Sequence, residues 1–230
     1  KEKDLLNNWD LKPKGLPVRV FVPFGKTEEY KTHNIPFDET FSIPLSELEA
    51  DDWTTLFNLD LTTLPSLLIQ RIIPELKRKL GQFTFKEVYL MIEHDKKSSK
   101  ETKEIASSLF SAAENWGIFS KEAYGKEITE LLLPGTTTIF DISVYSSIGS
   151  YNIRALIISL VSRKLFIKRL EARKQEEICG IQGGQDYLSY RQERKHPLIW
   201  MFIDEAHEFL PKDDMTPATL ALQQLLREGR

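Results

Sequence analysis

Six apolar residues, Leu198-Ile199-Trp200-Met201-Phe202-Ile203, run without interruption into two adjacent carboxylates, Asp204 and Glu205. A strand with one face in water alternates apolar and polar residues. An unbroken run this short predicts instead a strand covered on both faces, as in a parallel sheet flanked by helices. Ligands of such sheets bind in the crevice beyond the carboxyl ends of the strands. Asp204 and Glu205 fall at that end, with Ala206-His207-Glu208 directly after them. In nucleoside triphosphatases the first carboxylate at this place supports magnesium, and a second beside it is suited to take a proton from an attacking water. The plainer alternative is a strand end whose acids cap the next turn.

With 230 residues the chain is long enough to bury a core, as one large domain or as a domain with a subdomain. Lys and Arg number 31 against 34 Asp and Glu, a formal charge of −3. That balance argues against a protein coated in basic charge and leaves room for a local basic lining that meets phosphates. The single cysteine, Cys179, cannot form an internal disulfide and fits a reducing compartment. With no His or Cys near it in sequence, it reads as a passive thiol in a loop. No apolar stretch approaches the ~18 residues of a membrane span, and the charged start Lys1-Glu2-Lys3-Asp4 is not a secretory signal. The expectation is a soluble cytoplasmic protein without a membrane partner.

Val18-Arg19-Val20-Phe21-Val22, between Pro17 and Pro23, reads as a strand, and Phe41-Ser42-Ile43 as a second. Gly25-Lys26-Thr27 imitates the end of a phosphate-binding loop, but the first glycine of that motif would fall on Val20. An ordinary turn is expected there. Helices dominate from about Ser46 to Leu133, with reciprocal caps expected for Ser46 with Glu49, Thr84 with Glu87 and Ser98 with Glu101. Ile105, Leu109, Ala112, Ala113 and Trp116 recur at helical spacing before Gly117. Lys96-Lys97-Ser98-Ser99-Lys100 reads as a solvated turn. Strand character resumes over Thr137–Ser143, and a long helix is expected from about Asn152 to Glu177. The basic residues of its later half, Arg163, Lys164, Lys168, Arg169, Arg173 and Lys174, face either nucleic acid or, with Glu171, Glu176 and Glu177 among them, solvent. A polar loop follows to Pro197, in which Tyr187, Tyr190, Arg191, Arg194 and Lys195 are candidates for stacking on single-stranded DNA, with disorder the simpler account. A last helix is expected over about Thr216–Arg227, with Pro217 in its first turn and Gly229 as terminator.

Asp204-Glu205-Ala206-His207-Glu208-Phe209-Leu210-Pro211, together with Arg227-Glu228-Gly229-Arg230, resembles the HerA branch of the HerA/FtsK ATPases. The likeness extends to Val20-Phe21-Val22-Pro23-Phe24, Phe37-Asp38-Glu39-Thr40-Phe41-Ser42-Ile43-Pro44, Trp116-Gly117-Ile118-Phe119-Ser120 and Phe140-Asp141-Ile142-Ser143. The resemblance implies an α/β fold, a RecA-like P-loop NTPase core (a mainly parallel sheet flanked by helices) with an all-helical insertion, incomplete in this chain. Residues 1–45 and 134–230 would then belong to the ATPase core and 46–133 to the helical insertion. It also implies a ring-forming motor, expected as a hexamer, that hydrolyses ATP with Mg2+ while translocating on double-stranded DNA, with a NurA-type nuclease as a partner in end processing.

Carried over by position, Asp204 is similar to the family's magnesium-associated aspartate and Glu205 to its catalytic glutamate. Arg230 resembles the arginine that reaches the neighbouring subunit's nucleotide, with Arg227 the fallback. His207 is a candidate relay or DNA-coupling residue, or a packing residue; it completes the letters of a DEAH box, which leaves a DEAH-type helicase as an alternative. The sequence departs from the family in one respect: it contains no G-x-x-x-x-G-K-[ST] phosphate loop. The expectation is therefore the interior of a longer protein that binds ATP poorly by itself, because the aligned backbone N–H donors of that loop are missing. A non-catalytic DNA-binding or scaffold module that keeps the fold is the other alternative.

Overall fold

Val18–Pro23 forms the strand that the sequence predicts, β1, and it is the centre of a three-stranded, all-parallel sheet of order β2-β1-β3. The computed structural model describes residues 15–122, 133–145, 151–182, 199–212 and 215–228. Strand β2 (Glu39–Phe41) pairs with β1 in the register Phe21 to Glu39, and β3 (Thr137–Phe140) in the register Phe21 to Phe140. A central strand has neighbours on both edges and cover on its faces, and Phe21 and Val22 are accordingly fully buried. Two strand bounds differ from expectation. The β2 ladder ends at Phe41, although Ile43 still bridges in parallel to Phe119. After Phe140 the Asp141 carboxylate accepts the Ser143 N–H at 3.0 Å, which turns the chain into a short 3-10 segment, Ser143–Tyr145. The architecture is mixed α/β, a small parallel sheet flanked by helices.

A short helix, α1 (Thr27–Thr32), joins β1 to β2. Between β2 and β3 the chain builds α2 (Ala50–Leu56), α3 (Leu64–Leu80), α4 (Phe85–His94) and α5 (Lys100–Glu114). Helix α3 presents Leu68, Ile69, Ile72, Ile73 and Leu76 as a buried stripe and packs against α2, α4 and α5. Trp53 sits at the middle of this assembly with no exposed surface, its ring centroid 4.9 Å from that of Phe110, 5.1 Å from Phe119, 5.5 Å from Phe57 and 6.5 Å from Phe85. The same hydrophobic cluster takes in Phe21 and Phe41 of the sheet.

The expected caps resolve unequally. Thr84 and Glu87 do form their pair, the Thr84 N–H donating to the Glu87 carboxylate at 2.8 Å. Ser46 does not start a helix: Leu45–Glu47 is a single 3-10 turn, and α2 begins after Glu49, whose N–H donates to Asp52 at 2.8 Å. Ser98 is displaced by its neighbour, because Asp95 captures the Ser98 N–H at 2.8 Å in an Asx turn, leaving Ser99 to accept from Thr102 as the cap of α5.

Helix α6 (Tyr151–Gln182) runs past the expected end at Glu177 and takes in Cys179, which the sequence places in a loop. Its first half is buried on nearly every side, through Ile153, Ala155, Leu156, Ile157, Leu160 and Val161. Its basic half divides: two cations meet acids of the helical segment, and Lys168, Arg173 and Lys174 are exposed. Arg163 pairs with Asp52 at 2.9 Å and Lys164 with Glu47 at 2.5 Å, tying α6 to the helical segment, while Arg169 and Arg173 pair with Glu176 and Glu177 on α6 itself. Helix α7 (Thr219–Glu228) packs on α6.

The apolar run before Asp204 departs furthest from the buried strand that its composition predicts. Residues 199–203 join no ladder, and only one face of the run is covered. Met201 packs against the main cluster and Ile203 against a second one formed by Ala155, Phe209, Ala218 and Leu222, while Trp200 is 82% and Phe202 88% exposed. The alternation is that of extended backbone. Apolar composition alone does not distinguish a strand with both faces covered from one whose second face meets nothing.

Candidate functional site

The carboxyl ends of a parallel sheet are its ligand end, and here the protein's own backbone crosses three of them. Residues 116–120, leaving α5, are stitched to each strand in turn. The Gly25 N–H beyond β1 donates to the Gly117 carbonyl at 2.8 Å. Beyond β2, Ile43 N–H donates to Ile118 and Ser120 N–H to Ile43, each at 2.9 Å. Beyond β3, the buried Tyr145 hydroxyl donates to the Trp116 carbonyl at 3.0 Å, and burial pushes its ionisation well above the ordinary tyrosine value. Tyr30, on α1, donates to the Asp141 carbonyl at 3.2 Å, and burial raises its pKa to about 12, so both phenols act as neutral donors at physiological pH. Gly25 is therefore the ordinary turn that the sequence predicts and not a phosphate cradle: its N–H is already occupied by backbone.

Past the segment 199–203, no such strap lies on the acidic turn among the described residues. Asp204 and Glu205 are exposed, and the Glu205 N–H donates to the Asp204 carboxylate at 3.0 Å. Glu205 holds φ 49° and ψ 40°, the left-handed region. Among the described residues the other non-glycine positions there are Asn34 and Asn58, of the type that tolerates it. For a glutamate it costs on the order of 1 kcal/mol and persists only where neighbours enforce it. Glu208 N–H donates back to the Glu205 carbonyl at 2.9 Å and Phe209 N–H to Ala206 at 3.1 Å, closing a single 3-10 turn, Ala206–Glu208.

The back of this turn is anchored. Phe209 is buried, and its carbonyl accepts from the Thr216 hydroxyl at 2.8 Å and the Thr219 hydroxyl at 3.3 Å. Arg154, on α6, pairs with Glu208 at 2.9 Å. The front is open: His207 Nδ1 lies 3.2 Å from Glu205 Oε2, both side chains largely in solvent. Comparison with protein-family models, curated proteins and solved structures finds no match for this chain. The site rests on its own chemistry.

That chemistry is an all-oxygen pair of adjacent carboxylates, a donor set suited to a hard cation such as Mg2+, which proteins commonly hold through one or two carboxylates with substrate phosphates completing the shell. The structure brings together Asp204, Glu205 and His207 and adds Glu208 and Arg154. Arg227 lies exposed in the last turn of α7, and Arg230 falls outside the described residues, as do Tyr187, Tyr190, Arg191, Arg194 and Lys195. A groove of about 310 Å³ lined by Glu47, Glu49, Leu160, Arg163, Lys164 and Ile167 shares no residue with the turn, and all four of its charges are paired: Lys164 with Glu47, Arg163 with Asp52 and Glu49 with Lys77. Sequence reasoning passed over Arg154; a lone cation in Ile153-Arg154-Ala155-Leu156-Ile157 signals a charge in need of a partner but does not say which one.

Proposed function

We propose that the chain is part of a HerA-type, ATP-hydrolysing motor on double-stranded DNA, built on a RecA-like core and working as a hexameric ring, with a nuclease of the NurA kind as partner. The observation that carries this reading is the pair Asp204-Glu205 on an open, strained turn at the end of a segment whose inner face is packed. Asp204 would hold Mg2+, which neutralises charge on the phosphoryl oxygens. Glu205 would take the proton of the attacking water, its carboxylate aimed by the left-handed backbone and by His207. The resemblance gives Arg230 the role of a finger reaching the neighbouring subunit's nucleotide. On this reading the phosphate grip would be a glycine-rich loop, which these 230 residues do not contain. Arg163 and Lys164 are drawn onto Asp52 and Glu47, so the reading places no DNA contact on those two residues.

The test is Glu205→Gln in the ATP-hydrolysing protein. Loss of a general base costs about 10² or more in turnover, with ATP affinity retained because the amide keeps the shape of the turn. Turnover within about threefold of wild type, against that expectation, would overturn the assignment.

A further inference from the structure

The acidic turn carries a third acid, Glu208, for which the proposed reaction has no chemical use. Its carboxylate points back to Arg154 on α6, at 2.9 Å. The Arg154 guanidinium carbon also lies 5.8 Å from the centre of the Phe209 ring, within cation–π reach. One planar cation thus touches the last residue of the 3-10 turn and the aromatic plug that follows it. Both side chains of the pair are mostly shielded, Arg154 at 21% and Glu208 at 35% exposure, whereas Glu205 and His207 stand at 65% and 78%. The turn is held from behind and free in front.

This matters for Glu205 because, among the described residues, its own side-chain and N–H contacts do not enforce its left-handed conformation. Its side chain meets His207, which is itself in solvent, and its N–H meets the adjacent Asp204. The tether to the fold runs through its carbonyl, which accepts the Glu208 N–H. Glu208 is fixed by Arg154, and Arg154 by a helix whose next residue, Ala155, is fully buried.

Building on the proposed function, we infer that Arg154 is the positioning residue of the Asp204-Glu205 pair, acting through Glu208 and Phe209. It touches neither nucleotide nor metal. It sets the direction in which Glu205 leaves the turn. Lysine is a poor substitute, since an ammonium keeps the charge but loses the flat face laid over Phe209.

Two measurements on the full-length protein that contains these residues and the phosphate loop test this. The first is hydrogen exchange of the Glu208 and Phe209 amides by NMR; the second is steady-state ATP hydrolysis. Arg154→Ala is expected to speed exchange of both amides by about tenfold or more, with the amides of Ile72 and Ile73 in α3 unchanged. It is expected to lower kcat by roughly 10- to 100-fold, the usual cost of losing a group that orients a ligand from behind, while KM for ATP holds within about threefold. Arg154→Glu should match the alanine variant, and adding Glu208→Arg to it should recover part of both the amide protection and kcat. Unchanged exchange in Arg154→Ala, or a double variant no better than Arg154→Glu, would overturn the inference. If Arg154→Ala does not fold, Arg154→Lys and Glu208→Gln carry the same comparison. A wild-type protein without ATP hydrolysis would refute the proposed function and leave the exchange data to decide the role of Arg154 alone.

Discussion

Replacing Gly25 by alanine tests whether the strap or a phosphate explains that glycine. A methyl group built at Gly25 would lie 2.5 Å from the Gly117 Cα and 2.9 Å from its carbonyl oxygen, both backbone atoms that cannot rotate away. The strap must shift, and it cannot shift freely, because Gly117 sits at φ 73° and its neighbours Ile118 and Phe119 are in the core. Overpacking of this kind costs about 1–3 kcal/mol. If the strap lifts, the Gly25–Gly117 hydrogen bond adds about 0.5–1.5 kcal/mol to the loss. The stiffer unfolded chain returns about 0.4–1 kcal/mol. The net expectation is a destabilisation of about 1–3 kcal/mol. In urea, with m near 2 kcal/mol/M, the unfolding midpoint should fall by about 0.5–1.5 M at unchanged m. Gly117→Ala should behave similarly, since its added methyl would meet Gly25 Cα at 3.0 Å in a backbone conformation that favours glycine. An unchanged midpoint for Gly25→Ala, together with weakened ATP binding, would refute the strap and restore a phosphate role.

Two further perturbations read the helical segment. Trp53→Ala should cost about 3–5 kcal/mol as a large core truncation, whereas Trp53→Phe should cost under about 1.5 kcal/mol, because it also removes a buried indole N–H that has no acceptor; equal losses in thermal unfolding would contradict this. Thr84→Ala should cost about 1 kcal/mol as a lost cap. Its partner Glu87 is held below its ordinary 4.5 by the Thr84 hydroxyl and then the Thr84 N–H, so the stability it contributes is present above that value and lost as the pH falls through the lowered one. Urea midpoints of wild type and Glu87→Gln should therefore converge as the pH drops below 4.5, and a gap that stays constant would remove the cap from the account.

Elements that bury one face by a local rule were legible in the sequence. The β1 run between prolines and the Thr84–Glu87 cap each depend on neighbours within a few residues, and each appears where the pattern puts it, whereas the stripe read on α5 is turned: Ala106, Phe110 and Ala113 are buried and Ile105 is exposed. Caps with two competing acceptors were not: at Ser98 the choice fell to Asp95, whose carboxylate binds the turn's N–H groups and pairs with Arg71 at 3.0 Å. The acidic pair was legible as a motif, but its support was not. Arg154 lies 54 residues from Glu208, and nothing in either neighbourhood marks the partner. The basic half of α6 shows the same limit, since two of its cations meet Asp52 and Glu47 from a segment more than 100 residues away.

The half-covered run 199–203 ties the fold to the proposed chemistry. Met201 and Ile203 are seated, so the segment already has its place against the core, yet its outer side chains Trp200 and Phe202 face water. Burying a side chain of that size is worth about 1.5–3 kcal/mol, and both point away from the face that fixes the acidic turn. In the reading proposed here, the element carrying the phosphate loop would cover them, a strand beside 199–203 that brings its glycines next to Asp204. Covering the outer face and completing the nucleotide site would then be one event. The geometry at Glu205 fits that order: the turn is already set behind by Arg154, Thr216 and Thr219, while Glu205 and His207 at its front are exposed.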